Sequence, residues 1–451
     1  MVLRTNKIGM NKEDTTMKKN IISLAALLIA SATFVACSSD DNIIEEQPVQ
    51  PTEQVYTMTV NAQKGGDAAE SRAITRALGF GADGKLNATW TAGDAVEVWT
   101  SDGTTTKYGT LTAETSGAST KLKGTLTSLP GNGQSLLLKY LSPAYATQDG
   151  TLTGSATSID KVCDYATATV TASVVGSSVT ATDANFVNQQ AIVKFTLKNK
   201  ADDEALSVNK LFVTAGGTTC VVTPSGGAKS ELYVAVPAVA SGRVTLTALS
   251  GSTYYDYVKT GVTLAQSQYY AITASLTQVK NIDERPAILG RVVAANGKMY
   301  ASVESAANVG TTAVAVIAQV DKNVGWEDCM AIAISDESGK MNWNDANNAC
   351  NNKTPKIDGA TWTLPTVEYW QKMFEANGGN SNSYTGLNAT ITKAGGTPLR
   401  TDWYYWTDTD GTNNDSKRII LLESNGTVDY FITGSDKSSQ LLVRAFLWWN
   451  N

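Results

Sequence analysis

Residues 402–415, DWYYWTDTDGTNND, set four aromatic rings side by side and follow them with acids and amides. Aromatic faces stack on the C–H groups of sugars, and neighbouring carboxylates and amides can hydrogen-bond hydroxyls. Asp408, Asp410, Asn413, Asn414 and Asp415 also offer hard oxygens at loop spacing, with Gly411 available for a tight turn. Calcium takes such oxygen sets. The spacing departs from an EF-hand loop, however, and solvated turns use the same residues. Calcium is therefore the one cation this loop would suit, and no other metal or cofactor is expected. The candidate ligand-binding residues are Trp403, Tyr405, Trp406, Asp408 and Asn413. A strand over 403–407 would put Trp403, Tyr405 and Thr407 on one face and Tyr404 and Trp406 on the other. One face must enter a core, and the alternation does not say which.

The chain of 451 residues contains no histidine. That excludes a Ser-His-Asp or Cys-His pair, His-ligated zinc and an imidazole base. No clustered carboxylate pair stands out in its place, so no enzyme is expected. Net charge is −6, and no Lys/Arg patch with interleaved aromatics occurs, which argues against a nucleic-acid partner. With 17% charged and 42% hydrophobic residues the chain is globular, and its length allows two or three domains. Its richness in Thr, Ser, Ala, Gly and Val favours β-structure.

The elements that must carry these residues follow in chain order. MKKNIISLAALLIASATFVACSSDD begins at Met17 with Lys18 and Lys19, then an apolar run over Ile21–Ala30 that is too short to span a membrane. Residues 1–36 thus form a signal peptide with its start at Met17, and an acidic, Pro-containing tether follows over 37–56. Between 57 and 280 short alternating segments recur. In AIVKFTLKN, Val193, Phe195 and Leu197 face one way; in QYYAITASL, Tyr270, Ile272, Ala274 and Leu276 do. Turn clusters at roughly ten-residue spacing make this β-sandwich material. Trp90-x-x-Gly93-Asp94 reads as a turn between strands, with Trp90 and Trp99 packed inside. Eight of the ten tryptophans lie after residue 285. Two helices are predicted there. One places Trp343, Ala346 and Cys350 on a face; the other has Thr366 as N-cap and Val367, Trp370 and Phe374 inward.

FVAC resembles a bacterial lipobox, which implies lipid attachment at Cys37. The SSDD after it resembles the surface-export signal of Bacteroides-type lipoproteins. SRAITRAL, WTAGDAVEVW, VCDYATA, FVNQQAIVKFTL, YVAVP and VTLAQSQYYAITASL, in that order, resemble the fimbrillin family of pilus subunits. The resemblance covers about 220 residues. It implies two tandem transthyretin-like sandwiches, divided at 57–165 and 166–280, in a mainly β protein. It also implies removal of the N-terminal strand by an arginine-specific protease, here after Arg72 or Arg76. A strand from the next subunit then fills the groove.

MNWNDANNAC, WTLPTVEYWQKMF, YYWTD and VRAFLW resemble the C-type-lectin-like fold, an α+β domain over 285–451. WND at Trp343–Asp345 imitates the calcium tripeptide of sugar-binding lectins, but it reads better as a helix start.

Together these resemblances imply a non-catalytic pilus tip adhesin: an outer-membrane lipoprotein precursor that then joins a fimbrium at the cell surface. Its partners would be other pilus subunits and a glycan or host surface protein. The alternative is a lipid-anchored surface binding protein that never enters a pilus. Two disulfides, Cys163–Cys220 and Cys329–Cys350, are expected for an exported chain, with four buried free thiols as the other reading.

Overall fold

The computed structural model describes residues 55–64, 79–80, 86–142, 145, 147–282, 287–320 and 329–449. All belong to one compact unit, Gln54–Asn451. Cys37, Arg72, Arg76 and Trp326 lie outside the described residues. The protein is mainly β, as the alternation implied.

The first body begins with β1 (Tyr56–Lys64), whose sequence YTMTVNAQK turns Met58, Val60, Ala62 and Lys64 inward. A short ribbon of β2 (Gly79–Phe80) and β3 (Leu86–Asn87) follows. Next come β4 (Ala95–Thr100), β5 (Lys107–Ala113), β6 (Ser119–Leu126) and β7 (Ser135–Tyr140). After the single turn α1 (Ile159–Val162) come β8 (Ala166–Val175), β9 (Ser178–Ala181) and β10 (Ala184–Asn188).

The strand order is β10-β1-β6-β5-β4-β7-β8-β9, and the two ends meet. β9 and β10 take turns at one position, each antiparallel to β8 and parallel to β1. The sheet is therefore closed. Trp90 lies inside, edge-on to Tyr140 and Phe186. Trp99, expected inside as well, alternates with buried Val96 and Val98 and so faces outward, beneath the Lys139 ammonium.

The expected boundary at 165/166 does not coincide with the sheets. Residues 166–188 close the first one, and the second begins at Gln190. Alternation marks a strand but not its partner, so it does not fix where one sheet ends and the next begins.

The second body comprises β11 (Gln190–Asn199), β12 (Lys210–Ala215), β13 (Thr218–Val222), β14 (Glu231–Pro237), β15 (Val239–Ser250), β16 (Thr253–Leu264) and β17 (Tyr269–Gln278). Strands β13-β12-β15-β16 form one layer and β17-β11-β14 the other. The layers join at one corner through Tyr255↔Gln278 and Asp256↔Thr277. Val193, Phe195, Leu197, Ala274 and Leu276 fill the core between them, with Tyr270 and Ile272 packed at its margin, as the alternation predicted.

The last body has a seven-stranded sheet in the order β18-β20-β19-β21-β22-β27-β23. Its strands are β18 (Lys280–Asn281), β19 (Val292–Ala294), β20 (Lys298–Tyr300), β21 (Ala313–Gln319), β22 (Met330–Ala333), β23 (Ala360–Thr363) and β27 (Phe446–Trp449). A separate ribbon is formed by β24 (Trp403–Asp410), β25 (Ser416–Leu422) and β26 (Val428–Asp436). The helices are α2 (Val303–Asn308), α3 (Trp343–Asn351), α4 (Val367–Ala376) and α5 (Thr385–Ala394).

Both faces of the large sheet are buried. One packs on Trp370 and Phe374 of α4 and on Leu387 and Ile391 of α5; the other packs on Ala346 and Cys350 of α3. Thr366 caps α4, its hydroxyl accepting from Tyr369 N at 3.2 Å, as predicted. Asn342 caps α3, so the WND tripeptide is a helix start.

Candidate functional site

β24 runs between the two cores of the last body, and this decides the fate of its aromatics. Tyr405 enters the core on the α4 side and Trp406 the core on the α3 side; neither has exposed surface. The Tyr405 hydroxyl accepts from Arg400 N at 2.9 Å and donates to Asp336 at 3.1 Å. Asp336 in turn accepts from the fully buried Arg444 Nε at 2.6 Å. Burial, and then the Asp336 charge, push the Tyr405 phenol well above its ordinary range. Trp406 Nε1 donates to Met341 O at 2.7 Å. Tyr405 and Trp406 are thus core residues, which corrects their assignment as ligand contacts. The expected one-wet-face arrangement fails because this strand has a core on each side.

Trp403 and Tyr404, at the start of the strand, are 38% and 37% exposed. Lys340 Nζ lies 3.8 Å from the centroid of the Trp403 ring and Arg400 Cζ 5.8 Å. Tyr404 sits edge-on to Phe431.

The acids beyond them meet a lysine. Lys417 Nζ, nearly buried, lies 3.1 Å from Asp408 and 2.9 Å from Asp410. The lysine also stands 4.4 Å over the Trp343 ring. Burial works against its charge, but the Asp410 and Asp408 hydrogen bonds outweigh this and raise its pKa. Asn413 accepts from Asp415 N at 3.1 Å and forms the turn. Among the oxygens considered for calcium, Asp408 and Asp410 each meet Lys417, and Asn413 serves the turn. No group of three Asp, Glu, Cys or His side chains is placed to hold a metal among the described residues.

The four cysteines Cys163, Cys220, Cys329 and Cys350 are buried thiols that form no disulfide with one another, which corrects the expected pairing. Burial pushes each thiol up to about 12 and keeps it protonated and unreactive.

The first body holds a second arrangement, around its N-terminal strand. β1 is flanked by β6 along its length, from Tyr56↔Leu126 to Gln63↔Ser119, and by β9 and β10 on its other edge. It ends at Lys64, upstream of both Arg72 and Arg76. A cut after either arginine would therefore detach the whole of β1 from the chain that follows. Lys64, at the inner end of the strand, is 1% exposed. Its Nζ lies 2.5 Å from Asp164 Oδ2 and 3.4 Å from the centroid of the Tyr140 ring.

The second and last bodies are joined by polar pairs, of which Asp256–Arg291 is buried. Asp256 of β16 accepts from Arg291 at 2.7 Å and from Ala301 N at 2.6 Å. Burial raises the Asp256 pKa despite the adjacent guanidinium. Arg243 pairs with Glu304, and Asn308 reaches Thr247 at 3.3 Å.

No family model matches the sequence, and no curated protein is similar to it. Solved structures do match about half of it. A fimbrial assembly protein from Parabacteroides distasonis aligns over 51% of this chain and 97% of its own, at 13% identity and TM-score 0.26. A candidate cell adhesion protein from Bacteroides ovatus aligns over 49% and 95%, at 15% identity and TM-score 0.28. The shaft pilin SpaA of Lactobacillus rhamnosus GG aligns over 52% and 99%, at 13% identity and TM-score 0.22. The chain is thus similar, at low identity, to fimbrial, pilin and adhesion proteins. Superposition at these TM-scores is loose, so the functional reading below stands on the chain's own motifs and pairings.

Proposed function

We propose that this chain is a non-catalytic subunit of a cell-surface fimbria that is assembled by replacement of β1. The observation that carries it is the seat of β1. A complete strand with an alternating apolar face is held between β6 and β9/β10, and all of it lies upstream of Arg72 and Arg76. Its loss leaves unpaired strand edges on both sides of a groove, the geometry of strand addition. Lipid attachment at Cys37 and outer-membrane passage are part of the same reading. They rest on the leader motif.

The last body is assigned to a C-type-lectin-like domain presented at the fimbrial tip. One feature supports a binding role there: Trp403 and Tyr404 form an exposed aromatic edge for a glycan or host surface protein.

Treatment of the full chain with an arginine-specific protease tests the assembly reading. A single new N-terminus at Ala73 or Ala77, with uptake of an added strand peptide, is expected. A folded chain that resists cleavage at both sites would refute it and favour the lipid-anchored protein that stays outside the pilus.

A further inference from the structure

Trp403 opens β24 on the same face as Tyr405, and two cations come to its ring. Lys340 Nζ lies 3.8 Å from the ring centroid and Arg400 Cζ 5.8 Å. All three side chains are exposed, but the backbone that carries the cations is pinned. Leu399, next to Arg400, donates to Asn388 Oδ1 at 2.7 Å, and its carbonyl accepts from Asn388 Nδ2 at 3.1 Å. Arg400 N donates to the Tyr405 hydroxyl at 2.9 Å. Met341, next to Lys340, exchanges backbone hydrogen bonds with Leu441 at 2.9 and 3.0 Å. Two exposed charges thus stand on fixed mounts, which lowers the ordering cost of binding.

The chain is acidic, with a net charge of −6, yet the acids nearest these cations in sequence are engaged elsewhere. Asp336 accepts from Arg444 and Tyr405, Glu337 pairs with Lys353, and Asp402 accepts from Ser424 N at 3.0 Å. Neither Lys340 nor Arg400 pairs with a carboxylate among the described residues. An ammonium over the ring also changes what Trp403 offers. A neutral sugar stacks its C–H groups on a bare aromatic face, and here it would have to displace Lys340. An anionic sugar leaves the cation in place and uses it. A guanidinium supplies paired donors to a carboxylate or sulfate, and the ammonium adds a point charge.

We propose that the Trp403 edge takes an acidic glycan, a sugar bearing a carboxylate or sulfate whose anionic group is held by Lys340 and Arg400 while its ring lies against Trp403. The proposal rests on the reading of that edge as a ligand contact and names the class of ligand. Carboxylate and sulfate share the chemistry that the two cations recognise, and the probes below separate them.

The test measures equilibrium binding of the full chain to immobilised polygalacturonate, dextran sulfate, neutral dextran and polyglutamate. At least one acidic polysaccharide is expected to bind about tenfold or more tightly than dextran and polyglutamate, as for one charge-assisted hydrogen bond gained. Whichever of polygalacturonate and dextran sulfate binds names the anion. Lys340→Ala and Arg400→Ala should each weaken that binding roughly tenfold, and Trp403→Ala should weaken it as well. Lys229→Ala, which removes an exposed lysine of the second body, should leave it unchanged. Calorimetry of each variant separates lost binding from lost fold. Equal binding of dextran and dextran sulfate, both lost in Trp403→Ala, overturns the acidic selection and leaves the aromatic edge standing as a ligand contact. Polyglutamate bound as tightly as the acidic polysaccharides, or Lys229→Ala as damaging as Lys340→Ala, reduces the effect to charge and overturns the assignment of a sugar. A folded chain that binds none of these polymers removes the edge as a glycan contact, and the proposal falls with it.

Discussion

Trp403→Ala and Trp406→Ala should behave as different kinds of substitution although the two rings lie three residues apart in one strand. Trp406 has no exposed surface, packs against the α3 core, and donates from Nε1 to Met341 O at 2.7 Å. Its truncation opens a cavity costing about 3–5 kcal/mol. The carbonyl left without its donor adds on the order of 1 kcal/mol. For a domain of this size each kcal/mol moves the unfolding midpoint by roughly 2–4 °C, so a fall of about 10 °C or more is expected. Trp403 is 38% exposed and gives up mainly its contacts with Lys340 and Arg400. Exposed cation–aromatic contacts are worth about 0.5–1 kcal/mol, so the midpoint should move by no more than ~4 °C. Calorimetry of the full chain reads both. Equal midpoints for the two variants would refute the burial argument. The consequence for binding is practical. Trp403→Ala is the variant that tests a glycan or protein contact, whereas the Trp403/Trp406 double variant would confuse lost binding with lost fold.

Asp256→Ala leaves Arg291 buried without its carboxylate at the junction of the second and last bodies. It should cost about 3–5 kcal/mol; an unchanged calorimetric midpoint would show that the junction does not depend on the pair. Asp149, nearly buried, accepts from Thr151 N at 2.9 Å and from the Thr151, Ser155 and Thr157 hydroxyls. Burial raises its pKa, but the Ser155 and Thr151 hydrogen bonds outweigh this and lower it below the ordinary 3.8. A depressed folded value means the stabilisation is present above 3.8 and is lost as pH falls through the folded value. Asp149→Asn should therefore cost about 2 kcal/mol at neutral pH and converge with the parent in strong acid, read from urea midpoints at several pH values. The four buried thiols should resist alkylation of the native chain at pH 8 and all react after denaturation. Mass spectrometry showing rapid native labelling, or disulfides before reduction, would contradict their placement.

Much of the secondary structure was legible because side-chain period and capping are local properties. The inward rows of β11 and β17, the Thr366 cap and the start of α3 all follow from neighbouring residues. Helix α5 was not legible. Its TGLNATITKA sequence mixes Thr, Asn and Gly with few apolar residues, and only Gly395 beyond its end, at φ +91°, marks a helix stop. Partnership is the other thing alternation does not encode. The closure of β8, β9 and β10 onto β1 escaped the reading, and with it the true end of the first body. The same holds for the buried ion pairs. Lys64 and Asp164 are 100 residues apart, and Asp336 and Arg444 are 108. The aromatic platform fails at Tyr405 and Trp406 for a related reason: over 405–407 the strand lies between two cores, and neither face is wet there.

On the strand-replacement reading, closure of the first sheet explains why a removable strand is compatible with export as a single chain. In the closed sheet each strand has a neighbour on both sides among the described residues, which limits the edge offered to another copy. Burial of Met58 and Val60 contributes on the order of 1.5–3 kcal/mol each, and the ladders to β6, β9 and β10 add to it. Such a strand does not leave spontaneously. Cleavage changes the balance without changing any contact. β1 becomes a separate peptide, its return becomes concentration-dependent, and a competing strand tethered to a neighbouring subunit gains from a high effective concentration. The acceptor edges then appear only after proteolysis, which separates synthesis from polymerisation.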